Sequence, residues 1–244
     1  MYNRRRKQNL DRVVMVAQRL GELRDEVVFL GGAIAGLLVT DPAAPDIRVT
    51  LDVDLIVEAA TRGEYYKFHD KLRAKGFMEA PEEGVVCRWK IDQQLVDVMP
   101  VKDEILGFAN PWYPDAVMHP QIYDLDGLSI QVISAPYFLG TKLEAFKSRG
   151  KGDFLSSHDI EDIIAVLDGR PEIVEEIGQA DARIMEYLSA EFRILLANED
   201  FLDAIPGHLP PDAGNLMRAG ILRERIQQIA NCSTAEIPAG TPVL

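Results

Sequence analysis

The chain has 244 residues, 47% of them hydrophobic and 27% charged, enough apolar side chain to core one large domain or two small ones. Its formal net charge of −13 argues against a broad nucleic-acid-coating surface, because phosphate neutralisation needs lysine and arginine. No apolar run reaches the roughly 18 residues of a membrane span, and the basic start MYNRRRKQNL has no apolar stretch behind it, so no membrane contact or secretory leader is expected and a cytoplasmic protein is.

Residues 8–24 set Leu10, Val13, Val14, Ala17, Leu20 and Leu23 at helical spacing and predict an amphipathic first helix, with Arg4 to Lys7 ahead of it as a loose, solvated end. VVFL (27–30) reads as a short buried strand running directly into Gly31-Gly32, and AIAGLLV as the helix that follows. TDPAAPD is turn-forming, and VDLIV predicts the second strand. RGEYYKFHDKLRAKGF (62–77) predicts a helix, with Tyr65, Phe68 and Leu72 on one stripe. GVVCRWKI (84–91) and QQLVDVMP (93–100) predict an antiparallel hairpin, and after a long loop LSIQVIS (128–134) alternates as a strand. From Pro136 onward every periodic segment is helical, and the tail after Cys232 is expected to be loose. The prediction is an α/β (α+β) fold: a small mixed sheet flanked by helices over 1–135, then a mostly helical C-terminal region over 136–244.

Chemistry concentrates in RVTLDVDLIV. Side chains two apart on a strand share a face, so Asp52 and Asp54 project together while Val53, Leu55 and Val57 face the core. Two carboxylates this close repel unless a cation sits between them, and magnesium suits hard oxygen ligands that leave room for substrate phosphates. In LVDVM, Asp97 stands between two valines that face the other way. If its strand lies beside the first, three carboxylates converge on a site able to hold one or two ions. Gly31 and Gly32, between strand and helix, would let backbone N–H groups approach a phosphate, although a plain tight turn explains a glycine pair equally well. Cys87 and Cys232 lack a C-x-x-C partner, and His69, His119, His158 and His208 are scattered without an H-E-x-x-H. A histidine-rich metallophosphohydrolase is therefore disfavoured.

FLGG at 29–32, LDVDL at 51–55 and VDV at 96–98 together resemble the signature of the DNA-polymerase-β-like nucleotidyltransferase superfamily. Within it, RVTLDVDLIV and TKLEAFKSRGKGDFLSSHDIEDIIAVL are similar to the AbiEii/AbiGii-type toxins of bacterial toxin–antitoxin pairs, a resemblance covering about residues 25–168. Residues 33–51 form a longer gap than that family's, so the sequence around DPAAPD is expected to loop out. The resemblance implies a magnesium-dependent nucleotidyltransferase fold with two ions held by Asp52, Asp54 and Asp97. It also implies an NTP donor, a tRNA 3′ end as acceptor and an antitoxin protein as partner. A small-molecule or protein hydroxyl is the rival acceptor, and a nucleotide- or partner-binding module without turnover is the rival of another class.

Lys142 and Arg149, seven apart on one predicted helix face, flank the apolar stripe of Leu139, Leu143 and Phe146 and would grip a triphosphate; a solvated helix edge is the plainer account. The toxins carry an R-x-K-D-like stretch after such a lysine, which leaves Asp153 and Asp159 as alternative acids. Ser156 and Asp159 also read as a capping pair, the expectation favoured for Asp159. Thr50, on the Asp52/Asp54 face, is a candidate nucleotide contact, though strand propensity accounts for it as well. His158 reads as a capping-turn residue, and Trp112 and Tyr113 as packing under a long connection.

Overall fold

A computed structural model describes residues 4–80, 85–212 and 214–232. The C-terminal tail after Cys232 and the start of the predicted hairpin at 84 lie outside the described residues. Helix α1 (Arg4–Leu20) takes in the basic run expected to be loose. Its first turn is basic and holds no acid, unfavourable at the positive end of a helix dipole. Asp46 supplies the missing carboxylate: its oxygens accept from the backbone N–H of Arg5 and Arg6, both at 3.1 Å. The predicted helix then gives way to a 3-10 turn over Gly21–Glu26.

Strand β1 (Val27–Leu30) is buried throughout, and after Gly31 the chain makes a 3-10 turn (Gly32–Ile34) and a short helix α2 (Ala35–Leu38). Residues 39–51 run without regular structure to strand β2 (Asp52–Val57), as the long gap predicts. Helix α3 (Arg62–Ala74) starts on a capping box, with Thr61 accepting from the backbone of Glu64 and the Glu64 side chain returning to Thr61. Strands β3 (Met78–Glu79), β4 (Arg88–Ile91) and β5 (Gln94–Pro100) follow.

The expected loop from 101 to 127 holds three further elements, helices α4 (Asp103–Leu106) and α5 (Tyr113–Met118) and strand β6 (Gln121–Leu125). β6 forms a hairpin with β7 (Leu128–Val132) through Asp126-Gly127, both at positive φ. An Asp-Gly pair is among the strongest hairpin signals and marked this strand in the sequence. Helices α6 (Ala135–Arg149), α7 (His158–Gly169), α8 (Ile173–Gln179), α9 (Ala182–Leu196), α10 (Glu199–Ala204) and α11 (Asn215–Ala230) complete the chain.

The seven strands form one mixed sheet in the order β3-β4-β5-β2-β1-β7-β6. β2 runs antiparallel to β1 and parallel to β5, and the crossover between β2 and β5 carries α3. α7 packs on α6 and α2, and α11 on α9 and α7. One cluster of buried apolar residues joins Val13 of α1, the β1, β2 and β5 side chains and Ile226 of α11. The fold is thus mixed α/β, with helices interleaved among the strands up to β7 and helices alone from α6 onward among the described residues.

Candidate active site

Sheet register builds the acidic wall. In the parallel β2–β5 pair Asp54 stands opposite Asp97, and in the antiparallel β4–β5 pair Asp97 stands opposite Arg88. Directly opposed residues lie on one face of a sheet, so Asp54, Asp97 and Arg88 line up across three strands, with Asp52 two residues from Asp54 on the same face. Arg88 forks onto Asp97, Nε to Oδ1 and Nη2 to Oδ2 at 2.8 Å each, and Nη2 also reaches Asp52 Oδ2 at 3.1 Å. Thr50 is buried and its hydroxyl donates to the Asp52 main-chain oxygen at 2.9 Å and to Oδ1 at 3.0 Å. It therefore steadies Asp52 from behind and does not line the cleft.

Asp54 differs from its neighbours. Among the described residues no hydrogen bond or ion pair reaches its carboxylate. Burial pushes it up to about 7, the charges of Asp52 and Asp97 push the same way, and Lys142 and Arg149 only partly oppose them. Gly31 lies directly beneath it, at φ 74° and ψ −169°. A Cβ on Gly31 would overlap Asp54 Oδ2, so both the conformation and the close approach require glycine. Gly32 lines the cleft, and a Cβ there would overlap the guanidinium of Arg48.

The opposite wall carries the cations and comes from the C-terminal helices together with Arg48 of the 39–51 segment. Lys142, buried on α6, reaches Asp162 Oδ2 at 2.6 Å and Asp159 Oδ1 at 3.2 Å. Burial works against its charge, but Asp162 and Asp159 outweigh it and the pKa rises. Arg149 binds Asp159 through Nε at 2.9 Å and Nη2 at 2.8 Å. Arg48 binds Asp162 in the same forked way at 2.7 and 2.9 Å. Both aspartates are held below the usual carboxylate range, because these cations overcome the burial that would raise them. The result is a ladder, Arg149–Asp159–Lys142–Asp162–Arg48, along one side of a cleft of about 540 Å³ that the three sheet carboxylates line from the other. Ser157 caps α7 by accepting from Ile160 N at 3.4 Å, so Ser156, Ser157 and His158 place the positive end of that helix at the cleft rim.

The structure brings together Asp52, Asp54, Asp97, Gly32, Lys142 and Arg149, keeps Gly31 as the support beneath Asp54, and sets Thr50 aside as a buried brace. The capping role expected for Asp159 is overturned: Ser157 is the N-cap, and Asp159 pairs with Lys142 and Arg149. Asp153, the alternative acid, accepts from the backbone of Leu155 and Ser156 and closes a turn at the cleft's edge. His158 lies at the rim although far from the acidic strands in sequence, with Nδ1 3.2 Å from Glu161. Trp112 is buried against Tyr137 and Tyr187, and the Tyr113 hydroxyl meets the Met99 sulfur at 3.1 Å, so the aromatic loop packs as expected.

Sequence reasoning passed over Arg88, Arg48 and Asp162. Arg88 was findable: with Asp92-Gln93 as a two-residue turn and Asp92 at φ 53°, the hairpin register puts residue 88 opposite 97. A one-residue separation hides that pairing. Arg48 and Asp162 lie 114 residues apart and leave no local signal.

Hard carboxylate oxygens are the donors magnesium takes. Asp54, with its uncompensated carboxylate, fits such an ion, and so does Asp52, whose side chain is 35% exposed and whose two oxygens are held by single longer bonds at 3.1 and 3.0 Å. Asp97, buried with both oxygens forked by Arg88 at 2.8 Å, does not. Among the described residues no group of three or more His, Cys, Asp and Glu side chains is arranged to hold a metal ion.

No protein-family model matches the chain, and no curated protein matches it. Among solved structures, the crystal structure of an antigenic nucleotidyltransferase-like protein from Paracoccidioides brasiliensis is similar, at 21% identity over 65% of this chain and 78% of that chain, with a TM-score of 0.46. A likeness so distant leaves the site's own geometry to carry the functional reading.

Proposed function

We propose that the cleft transfers a nucleoside monophosphate from an NTP to an acceptor hydroxyl in a magnesium-dependent reaction. The observation that carries this reading is the register pairing of Asp54 with Asp97 beside Asp52, facing a wall of Lys142, Arg149 and Arg48. An acidic wall opposite a cationic one is what a cation-bridged polyphosphate needs. Asp52 and Asp54 would hold magnesium, which when bound would neutralise phosphate charge and polarise the α-phosphate. Lys142 and Arg149 would exchange part of their hold on Asp159 for phosphate oxygens, and the backbone of Gly32 and the start of α7 would complete the phosphate seat. The acceptor oxygen bonds to the α-phosphorus, the bond to the bridging β-oxygen breaks and pyrophosphate leaves. The hydroxyl proton passes to a carboxylate of the cluster.

The sequence resemblance supports a tRNA 3′ end as acceptor and a growth-inhibiting toxin held by an antitoxin as the biological setting. The net charge of −13 keeps a small-molecule or protein hydroxyl as the competing acceptor. Incubation with each labelled NTP, magnesium and a cell extract tests the proposal, with label expected in one fraction, RNA, protein or small molecule. Asp54→Ala should lower incorporation by about 10²–10³-fold, the worth of several kcal/mol of charge stabilisation. Undiminished incorporation by that variant ends the proposal.

One observation favours a second reading, a nucleotide-binding module without turnover: Arg88 holds both oxygens of Asp97. Such a protein would bind NTP with magnesium and release no pyrophosphate. Among the described residues no helix is long and apolar enough to cross a membrane.

A further inference from the structure

We infer that the Arg88 guanidinium occupies the place of a second metal ion, so that the cleft takes one divalent cation per chain, on Asp52 and Asp54. This rests on the nucleotidyl-transfer reading and departs from the two ions that the sequence led us to expect.

Each carboxylate oxygen can be followed individually. Asp97 Oδ1 and Oδ2 both accept from Arg88 at 2.8 Å, in the parallel fork that guanidinium and carboxylate planes favour. Asp52 gives Oδ2 to the same guanidinium at 3.1 Å and Oδ1 to the Thr50 hydroxyl at 3.0 Å. Asp54 gives neither oxygen to any described residue. Arg88 thus bridges Asp52 and Asp97, the position a second ion would need, and Asp54 with the outer lone pairs of Asp52 forms the one open position.

Arg88 is also hard to dislodge. Its backbone is a register partner of Asp97 in a ladder that runs from Arg88↔Asp97 to Ile91↔Gln94. Its side chain is only 14% exposed, so withdrawal would strand a buried carboxylate beside two others. Charge agrees with this arrangement. Three carboxylates are balanced by one guanidinium and one divalent ion, whereas a second ion would crowd an extra double charge against Arg88.

The test counts Mn²⁺, standing in for magnesium, bound to the full chain without nucleotide, by the spin-resonance signal of the free ion. Wild type should bind one ion per chain. Asp54→Asn should weaken that ion by at least about tenfold, the scale of losses at metal sites. Asp97→Asn should change the ion's affinity far less than Asp54→Asn does, because Asp97 acts on the ion only through its charge and is not a ligand. Arg88→Met should open a second position that disappears again in Arg88→Met/Asp97→Asn. Two ions on wild type, or loss of the ion in Asp97→Asn, would overturn the inference and leave the enzyme reading standing. Absence of any bound ion would remove both. If Arg88→Met does not fold, wild type and Asp97→Asn decide alone.

Discussion

Asp54 is the side chain on which the cleft's charge is least settled. Its ordinary value is 3.8, and burial, Asp52 and Asp97 lift it to about 7 in the metal-free protein. The unfolded chain holds no such cluster, so the folded state binds the extra proton. Any stability linked to this carboxyl is therefore fully present below about pH 4 and is lost as pH rises toward 7. Asp54→Asn should match the wild-type melting temperature at pH 4 and exceed it at pH 8. The rise of about three units caps the difference near 4 kcal/mol, and water entering the open cleft should leave about 1–2 kcal/mol. Thermal melts of the two proteins across that range, with chelator present, check this; equal curves at pH 8 would contradict it. Asp52, Asp54 and Asp97 were legible in the sequence because strand alternation is a local rule with period two. The unequal states of the three were not, because they depend on which carboxylate a distant arginine reaches.

At the scale of elements, the turn from β1 into α2 and the pairing of α6 with α7 decide where the two walls stand. Gly31→Ala would force a side chain into a region of backbone space almost reserved for glycine, at a cost of about 1–3 kcal/mol, and would push Asp54 aside. Activity should therefore fall far more than the melting temperature, which paired kinetic and thermal measurements would reveal. Asp162 is the rung of the ladder with most to lose, for it is buried and serves both Arg48 and Lys142. Asp162→Ala leaves buried Lys142 and largely buried Arg48 without the carboxylate between them and should cost about 3–5 kcal/mol in urea unfolding. The strands and long helices were readable from periodicity; β6 was not, because Ile122 and Tyr123 put apolar side chains on both faces of an edge strand that buries none of them fully, and α5 was not, being only six residues long. Pro114 in the first turn of α5 and Asp126-Gly127 after β6 were the signals available, and they are turn chemistry. Asp159 was misassigned for a similar reason, since an S-x-x-D spacing describes a cap only when the serine is the N-cap, and Ser157 holds that place.

Across the whole molecule, the change of composition near residue 135 does not coincide with a break in the core. The apolar cluster is continuous through it, and residues 39–51 are tied to the C-terminal helices. Thr40 and Asp41 N–H both donate to the Gly169 carbonyl at 2.9 Å, Arg170 reaches the Leu38 carbonyl at 2.7 Å and Arg218 the Ala43 carbonyl at 2.9 Å. We expect one cooperative unfolding transition, with calorimetric and van't Hoff enthalpies in agreement; two resolved transitions would divide the chain as its composition does. Long-range ties of this kind have no footprint in a local window. The parallel pairing of β2 with β5 has a temporal consequence as well. A chain emerging from the ribosome completes the acidic face before Lys142 and Arg149 have been added, so the young sheet holds like charges together with Arg88 of β4, among the described residues, as the counter-ion that binds them. Docking of α6 and α7 then brings Lys142 and Arg149 to oppose part of that repulsion, so the acidic face meets its cationic wall only when the helical half arrives.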